Sequence, residues 1–235
     1  MRKFFDMDNP FFRTLGKLAD LMILNLLFIL CSIPIVTIGA SLTGMYYVTL
    51  KIAENEEGYI AKSFFKSFKQ NFRQATVIWL IALVLGIVFG LDLYILSAAE
   101  GTLFDIVKMA ITATLIIYLI TLIYVFPTLA RFYNTIRGTI RNAFLMSVAN
   151  LPRTFLALVV TVGSVLVTFI NGYTLVYGLL VWILAGFSLV AYANSFLIKK
   201  IFAKYSPQEP ETDPDAWDAS ASPEGQLEEH SEKIQ

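Results

Sequence analysis

The sequence predicts an all-α fold, a polytopic membrane helix bundle with about six transmembrane helices. Three observations carry this. Several apolar runs are about 18 residues or longer and nearly free of charge, the length a helix needs to cross a bilayer. Hydrophobic residues make up 57% of the chain and charged residues 15%, against about 45–50% and about 25% in soluble domains, and the mean hydropathy is +0.66. Finally, lysine and arginine fall in clusters between the apolar runs, the asymmetry that orients membrane proteins.

The first apolar region, about 15–50, is too long for one ordinary span of about 20 residues. It is broken by SIPIVTIGAS, where Pro34 disfavours a continuous helix and Gly39 loosens the backbone. Ser41 is a candidate cap for the next helix. This places spans at about 12–32 and 41–54, with a turn at 33–40. Two crossings put the clusters Arg2, Lys3, Arg13, Lys17 and Lys51, Lys62, Lys66, Lys69, Arg73 on one side. The second span is short enough to be tilted or enclosed by neighbours, and a five-span bundle is the alternative. The basic N-terminus precedes an apolar stretch too long for a signal peptide and without an A-x-A site, so it reads as retained.

Residues 59–73, YIAKSFFKSFKQNFR, are amphipathic at helical spacing. Phe64, Phe65, Phe68 and Phe72 share one face; Lys62, Lys66, Lys69 and Arg73 share the opposite one. That pattern suits an interfacial helix lying among lipid headgroups. Further spans follow at about 75–97, 107–130, 154–171 and 175–198, and the helix at 107–130 is expected to continue toward Arg137 and Arg141. Sixteen of the 17 Lys/Arg in residues 1–205 fall on one side in this layout, with Lys108 alone on the other. The expected location is therefore the cell membrane, multi-pass, with both termini cytoplasmic. Residues 1–205 form the transmembrane helical domain, with net charge +8; residues 206–235 carry −8. The latter, rich in Pro, acids and Ser, are expected to be a disordered cytoplasmic tail.

Chemistry is sparsely marked. One cysteine, Cys31, and one histidine, His230, argue against a Cys/His zinc site or a His-based nucleophilic triad. No catalytic, cofactor-binding or metal-ligating set stands out, and nothing points to nucleic acid. Candidate intramembrane polar residues are Asp20, Asn25 and Asp92, because polar groups in a span are costly and often functional. For Asp20, pairing with Lys17 or Arg13 competes with an ion or substrate role. For Asp92, near Glu100 and Asp105, a solvated interfacial carboxylate competes with a cation or sugar-hydroxyl site. Candidate membrane-surface or partner-binding residues are Lys62, Lys66, Lys69, Arg73, Arg137 and Arg141, with anionic lipid or an acidic partner surface as the counterpart. The SIPIVTIGAS turn reads either as a plain surface turn or as a cavity lining through Ser32 and Thr37. Gly86-x-x-x-Gly90 reads as packing within the bundle or as a dimer seam. A weak echo relates YYVTLK at 46–51 to FYNTIR at 132–137, and Ser67, Gln70, Arg73 to Ser147, Asn150, Arg153; duplication and chance both explain it.

The succession DNPFFR, LADLMILNLLFIL, SIPIVTIGAS, YYVTLK and SFFKSFKQNFRQAT resembles the YesL-type family of bacterial integral membrane proteins of unknown function. The likeness covers roughly residues 4–200 and is strongest over 8–76. It implies a Gram-positive bacterial setting beside carbohydrate ABC importers and polysaccharide-degrading enzymes. It implies no reaction, so no catalytic residue is carried over. The expectation is a non-enzymatic accessory or interaction protein associated with a carbohydrate ABC importer. The alternative is a small secondary transporter for a sugar or other small solute, and a membrane enzyme ranks last.

Overall fold

The computed structural model describes residues 10–56 and 58–205; among them every regular element is helical. Helix α1 is Pro10–Ser32, α2 Ile38–Glu54, α3 Ile60–Ser97, α4 Thr102–Arg131, α5 Ile136–Ala149, α6 Leu151–Thr168, α7 Gly172–Val181 and α8 Phe187–Tyr205. A single 3₁₀ turn, Ile35–Thr37, precedes α2, and a π-helical turn, Trp182–Gly186, joins α7 to α8. Among the described residues, six helical stretches are long and apolar enough to cross a membrane: 14–32, 35–53, 60–97, 102–131, 151–168 and 172–205. The six-span reading therefore stands over the five-span one. The chain divides into a compact unit through Ile201 and a piece from Phe202, of which 202–205 end α8. The proposed acidic tail, 206–235, and the first N-terminal cations lie outside the described residues.

Helix α2 is the hub of the unit. It packs on α1, α3 and α4, and 61% of its apolar stretch is buried, against 22% or less in the other five. At 17 residues it rises about 26 Å, short of the ~30 Å hydrocarbon core. Enclosure by neighbours makes this length tolerable. Small residues create the fit: a Cβ on Gly39 would lie 2.5 Å from the Ala75 carbonyl oxygen and from Trp79 Cβ, and one on Gly44 would lie 3.1 Å from the Phe64 ring. Lipid tails are as apolar as side chains, so close backbone approach and interhelical hydrogen bonds replace the hydrophobic effect as the packing force.

The break before α2 is held by protein groups. Pro34 is extended, at φ −75° and ψ 117°. The Thr37 hydroxyl donates to the Cys31 carbonyl at 2.6 Å and to Pro34 O at 2.7 Å, satisfying carbonyls at the end of α1. The Trp79 indole donates to Ile35 O at 2.8 Å. With Ile33, Ile35 and Val36 exposed, the turn is an apolar corner and its Thr37 hydroxyl is not offered to a cavity. Ser41 does not cap α2; the helix starts earlier, at Ile38, and the Ser41 hydroxyl donates back to Thr37 O at 3.1 Å.

Two boundaries differ from expectation. The amphipathic 59–73 stretch is not a separate interfacial helix. It is the first third of α3, a continuous 38-residue helix about 57 Å long at 1.5 Å per residue. No proline or glycine interrupts it between Arg73 and Trp79. Its phenylalanine face is divided: Phe64 is fully buried against α2, while Phe65 and Phe72 remain exposed. Second, α4 does not continue to Arg137 and Arg141. Phe132 turns extended, and Thr135 starts α5 by accepting a hydrogen bond from the Gly138 N–H at 3.2 Å. The later spans also shift, to 151–168 and 172–205, with Asn171 and Thr174 forming a capping box at α7.

The internal echo does not carry over to local structure. Thr49 is buried inside α2, whereas its counterpart Thr135 is the exposed cap of α5. Only Ser67 and Ser147 share a buried setting. Within Gly86-x-x-x-Gly90, Gly86 faces the Tyr118 hydroxyl of α4, 3.2 Å from where a Cβ would sit, while Gly90 faces open space.

Gly39→Ala is expected to destabilise the purified protein by about 1–3 kcal/mol, because its Cβ meets backbone rather than a movable side chain. Gly90→Ala should leave the unfolding midpoint in detergent unchanged or slightly raised. Equal behaviour of the two variants would contradict the α2–α3 seam.

Candidate functional site: a buried polar clamp and a basic end

The three intramembrane candidates have different fates. Asn25 is fully buried. Its side-chain amide donates to the carbonyls of Trp182 at 3.0 Å and Ile183 at 2.8 Å, and its oxygen accepts the Ser188 N–H at 3.1 Å. The Ser188 hydroxyl completes the clamp by donating to Leu21 O at 2.7 Å and Ala185 O at 2.9 Å. A π turn displaces backbone groups from the regular ladder, and the asparagine supplies the partners they need in a water-poor interior. Around it the Trp182 and Phe187 rings lie 4.9 Å apart and Phe28 and Phe187 5.2 Å apart. Gly186 leaves space for the Trp182 ring, which would lie 2.8 Å from a Cβ there, and the Trp182 indole donates to Thr168 at 2.9 Å.

Asp20 is half-buried beside a wide cavity of about 570 Å³ lined also by Lys17, Asn55 and Tyr59. The expected Lys17–Asp20 pair does not form. Lys17 instead donates to the Asn55 side-chain oxygen at 3.0 Å, which the left-handed end of α2 (Asn55 φ 58°) presents. The Arg13 side chain lies outside the described residues. Asp92, also half-buried, makes no ion pair among the described residues, whereas Asp105 lies 3.7 Å from Lys108, which also donates to Ala99 O at 2.9 Å.

Several buried polar groups were not singled out from sequence. Thr49 and Ser195 share a hydrogen bond of 2.8 Å between α2 and α8, Tyr124 and Thr154 one of 2.9 Å between α4 and α6, and Asn194 donates to Thr161 at 2.9 Å. Lys199 donates to Ala53 O. The AYANS run at 191–195 was the available signal: an adjacent asparagine and serine in the apolar stretch that precedes Lys199.

The basic end is organised differently. Glu54 pairs with Arg131 at 2.9 Å and Glu56 with Lys51 at 3.2 Å, and Lys51 Nζ lies 5.5 Å from the Tyr47 ring centre. Beside them a cavity of about 290 Å³ between α2, α3 and the end of α4 is lined by Lys51, Lys66, Gln70, Asn71, Arg131 and Tyr133 among others. Gln70 donates to the Tyr133 hydroxyl, tying α3 to the α4–α5 connection. Lys62, Lys66, Lys69 and Arg73 on α3, and Arg137 and Arg141 on α5, are all exposed and have no ion-pair partner among the described residues. Glu54 and Glu56 are already paired, so among the described residues these six cations have no acidic partner. Among the described residues no group of three or more His, Cys, Asp or Glu side chains is placed to hold a metal ion.

Comparison with known proteins adds one match. Residues 21–93 match a family described as a protein of unknown function, DUF624. No curated protein matches the chain, and no solved structure does. The matched stretch runs from the start of the α1 clamp to near the end of α3, and so includes Asn25, the apolar corner, all of α2, the α3 cations and Asp92.

Asn25→Leu removes the three clamp bonds that Asn25 makes while roughly keeping side-chain volume. It is expected to lower stability by about 2 kcal/mol, given up to about 1.7 kcal/mol for one interhelical hydrogen bond in a membrane protein. Denaturant titration in mixed micelles measures the loss. Asp92→Asn should be neutral in the same assay, as a carboxylate without an ion-pair partner contributes little.

Proposed function

We propose that this polytopic helical protein is a non-enzymatic accessory of the cell membrane that docks an acidic partner surface on its basic end. The observation that supports the reading is the set of cations on the first four turns of α3 that have no ion-pair partner among the described residues, beside Glu54 and Glu56, which pair with Arg131 and Lys51. A 38-residue helix exceeds the ~30 Å hydrocarbon core by many ångströms, so the Lys62, Lys66, Lys69 and Arg73 face projects past it. The excess of cations favours the cytoplasmic side for this end and for both termini. The resemblance to the YesL-type family supplies the setting: bacterial, with the subunits of a carbohydrate ABC importer as the partner class.

Secondary transport is the alternative reading. Against it, Asn25, Thr49, Ser195, Tyr124 and Thr154 bond to one another or to backbone across helices, and a solute path through the membrane needs polar groups turned toward a cavity.

The test is copurification from native membranes under mild extraction, paired with sugar uptake. Wild-type protein should recover importer subunits, and the K62Q/K66Q/K69Q/R73Q variant should lose them while remaining folded and membrane-inserted. Deletion of the protein should reduce uptake of the cognate sugar. A solitary particle together with unchanged uptake would remove the proposal. Cysteines introduced at position 66 should be protected from a membrane-impermeant thiol reagent in intact cells; labelling from outside would reverse the orientation.

A further inference from the structure

A second surface, independent of the α3 cations, lies between α3, α4 and α5. It is a groove of about 230 Å³ whose walls include Ile78, Ile81, Leu85, Leu122, Ile140 and Phe144. Its polar side chains are internally satisfied: the Tyr118 hydroxyl donates to Ala82 O at 2.7 Å and the Thr121 hydroxyl to Ile117 O at 2.7 Å. The groove therefore offers hydrocarbon contact and no hydrogen bond. One turn before Ile78 on the same α3 face, Gln74 donates to Asn134 O at 2.8 Å and to Thr139 at 3.3 Å. This stitch pins α5 across the end of the groove.

The level of the groove matters. Ile78 lies five residues past Arg73 and Val125 six before Arg131, so its near end is about 8–9 Å from the cations at 1.5 Å per residue. That is the step from headgroup to first methylenes. Helix α5 bridges the two zones. Its buried face carries Thr139, Ala143, Met146 and Ser147. At 100° per residue, Arg137, Ile140, Arg141 and Phe144 fall within one 100° arc beside it. Ile140 and Phe144 line the groove, and Arg137 and Arg141, exposed and without ion-pair partners among the described residues, sit one turn apart on the adjoining strip of the same helix.

We infer that this groove is a binding site for a single anionic phospholipid, with one acyl chain against α3 and α4 and its phosphate between Arg137 and Arg141. Arginine suits this task because its planar fork donates two hydrogen bonds to one phosphate. The apolar wall selects a chain-bearing ligand over free phosphate, and the arginine pair selects an anionic headgroup over a zwitterionic one. The bound lipid acts as a wedge that holds α5 against α3 and α4.

The full-length protein in phosphatidylcholine nanodiscs doped with phosphatidylglycerol provides the test, read by native mass spectrometry. Phosphatidylglycerol should be retained in preference to phosphatidylcholine at one lipid per chain. R137Q/R141Q should weaken that retention by roughly thirtyfold, as expected for two surface cations. Both side chains are exposed, so the fold should persist, and an unchanged unfolding midpoint checks this. Ile81→Trp, which fills the groove and leaves both arginines in place, should also reduce retention. K62Q/K66Q should not, which separates this site from the docking face on α3. The inference is overturned if R137Q/R141Q retains phosphatidylglycerol like the wild type, or if soluble glycerol phosphate competes as well as the lipid. It is overturned equally if the groove is filled by a second copy of the chain, seen as a lipid-free dimer.

Discussion

The bundle depends on a polar bond inside an apolar interior. A backbone carbonyl without a partner is costly in lipid, and the π turn at Trp182–Gly186 would leave such groups exposed. Asn25 binds two of those carbonyls and the Ser188 N–H, while Ser188 binds back to Leu21. The first and last spans are thereby joined across 157 to 167 residues of sequence. Because α1 also packs on α2 and α3, the clamp closes the chain around its central helix. The irregular turn and the asparagine need one another: a regular helix would give Asn25 no free carbonyl, and a leucine would leave the turn unsatisfied.

The second constraint is steric. Gly39 and Gly44 let α3 approach α2 at backbone distance, and this contact orients the longest helix. Once α3 is seated, Phe64 is buried and the lysine face opposite must point away from the unit. The cationic platform at the basic end is thus a consequence of how α2 and α3 pack. Glu54 at the end of α2 and Glu56 just past it pair with Arg131 and Lys51, and the cations of α3 and α5 have no such partner among the described residues.

Functional surfaces follow from this division. Inside the bundle Asn25, Thr49, Ser195, Tyr124 and Thr154 bond across helices and hold them together. The surfaces proposed for recognition sit on the perimeter: the α3 cations, the cavity beside Lys66 and the groove under α5. An accessory role and a lipid site both draw on this perimeter, yet on different helices. Charge-assisted contact with an anion is available at each, and the apolar wall is available only at the second.

The helical membrane class, the six apolar stretches and the clustering of cations were legible in the sequence, because hydropathy and charge are sums over neighbouring residues. The amphipathic face at 59–73 was legible too, but its fate was not. Periodicity says which residues share a face and is silent on whether lipid or α2 covers it, so the same pattern described a separate surface helix equally well. Asn25 stood out by type, although its role required the carbonyls of Trp182 and Ile183, which no local window contains. Lys17 lay three residues from Asp20 and chose Asn55, because the left-handed end of α2 brings that oxygen nearer. The sequence alone settled where the chain is apolar and where it is charged. Tertiary structure decided which polar groups are spent on each other and which remain, since that depends on contacts between residues far apart in the chain.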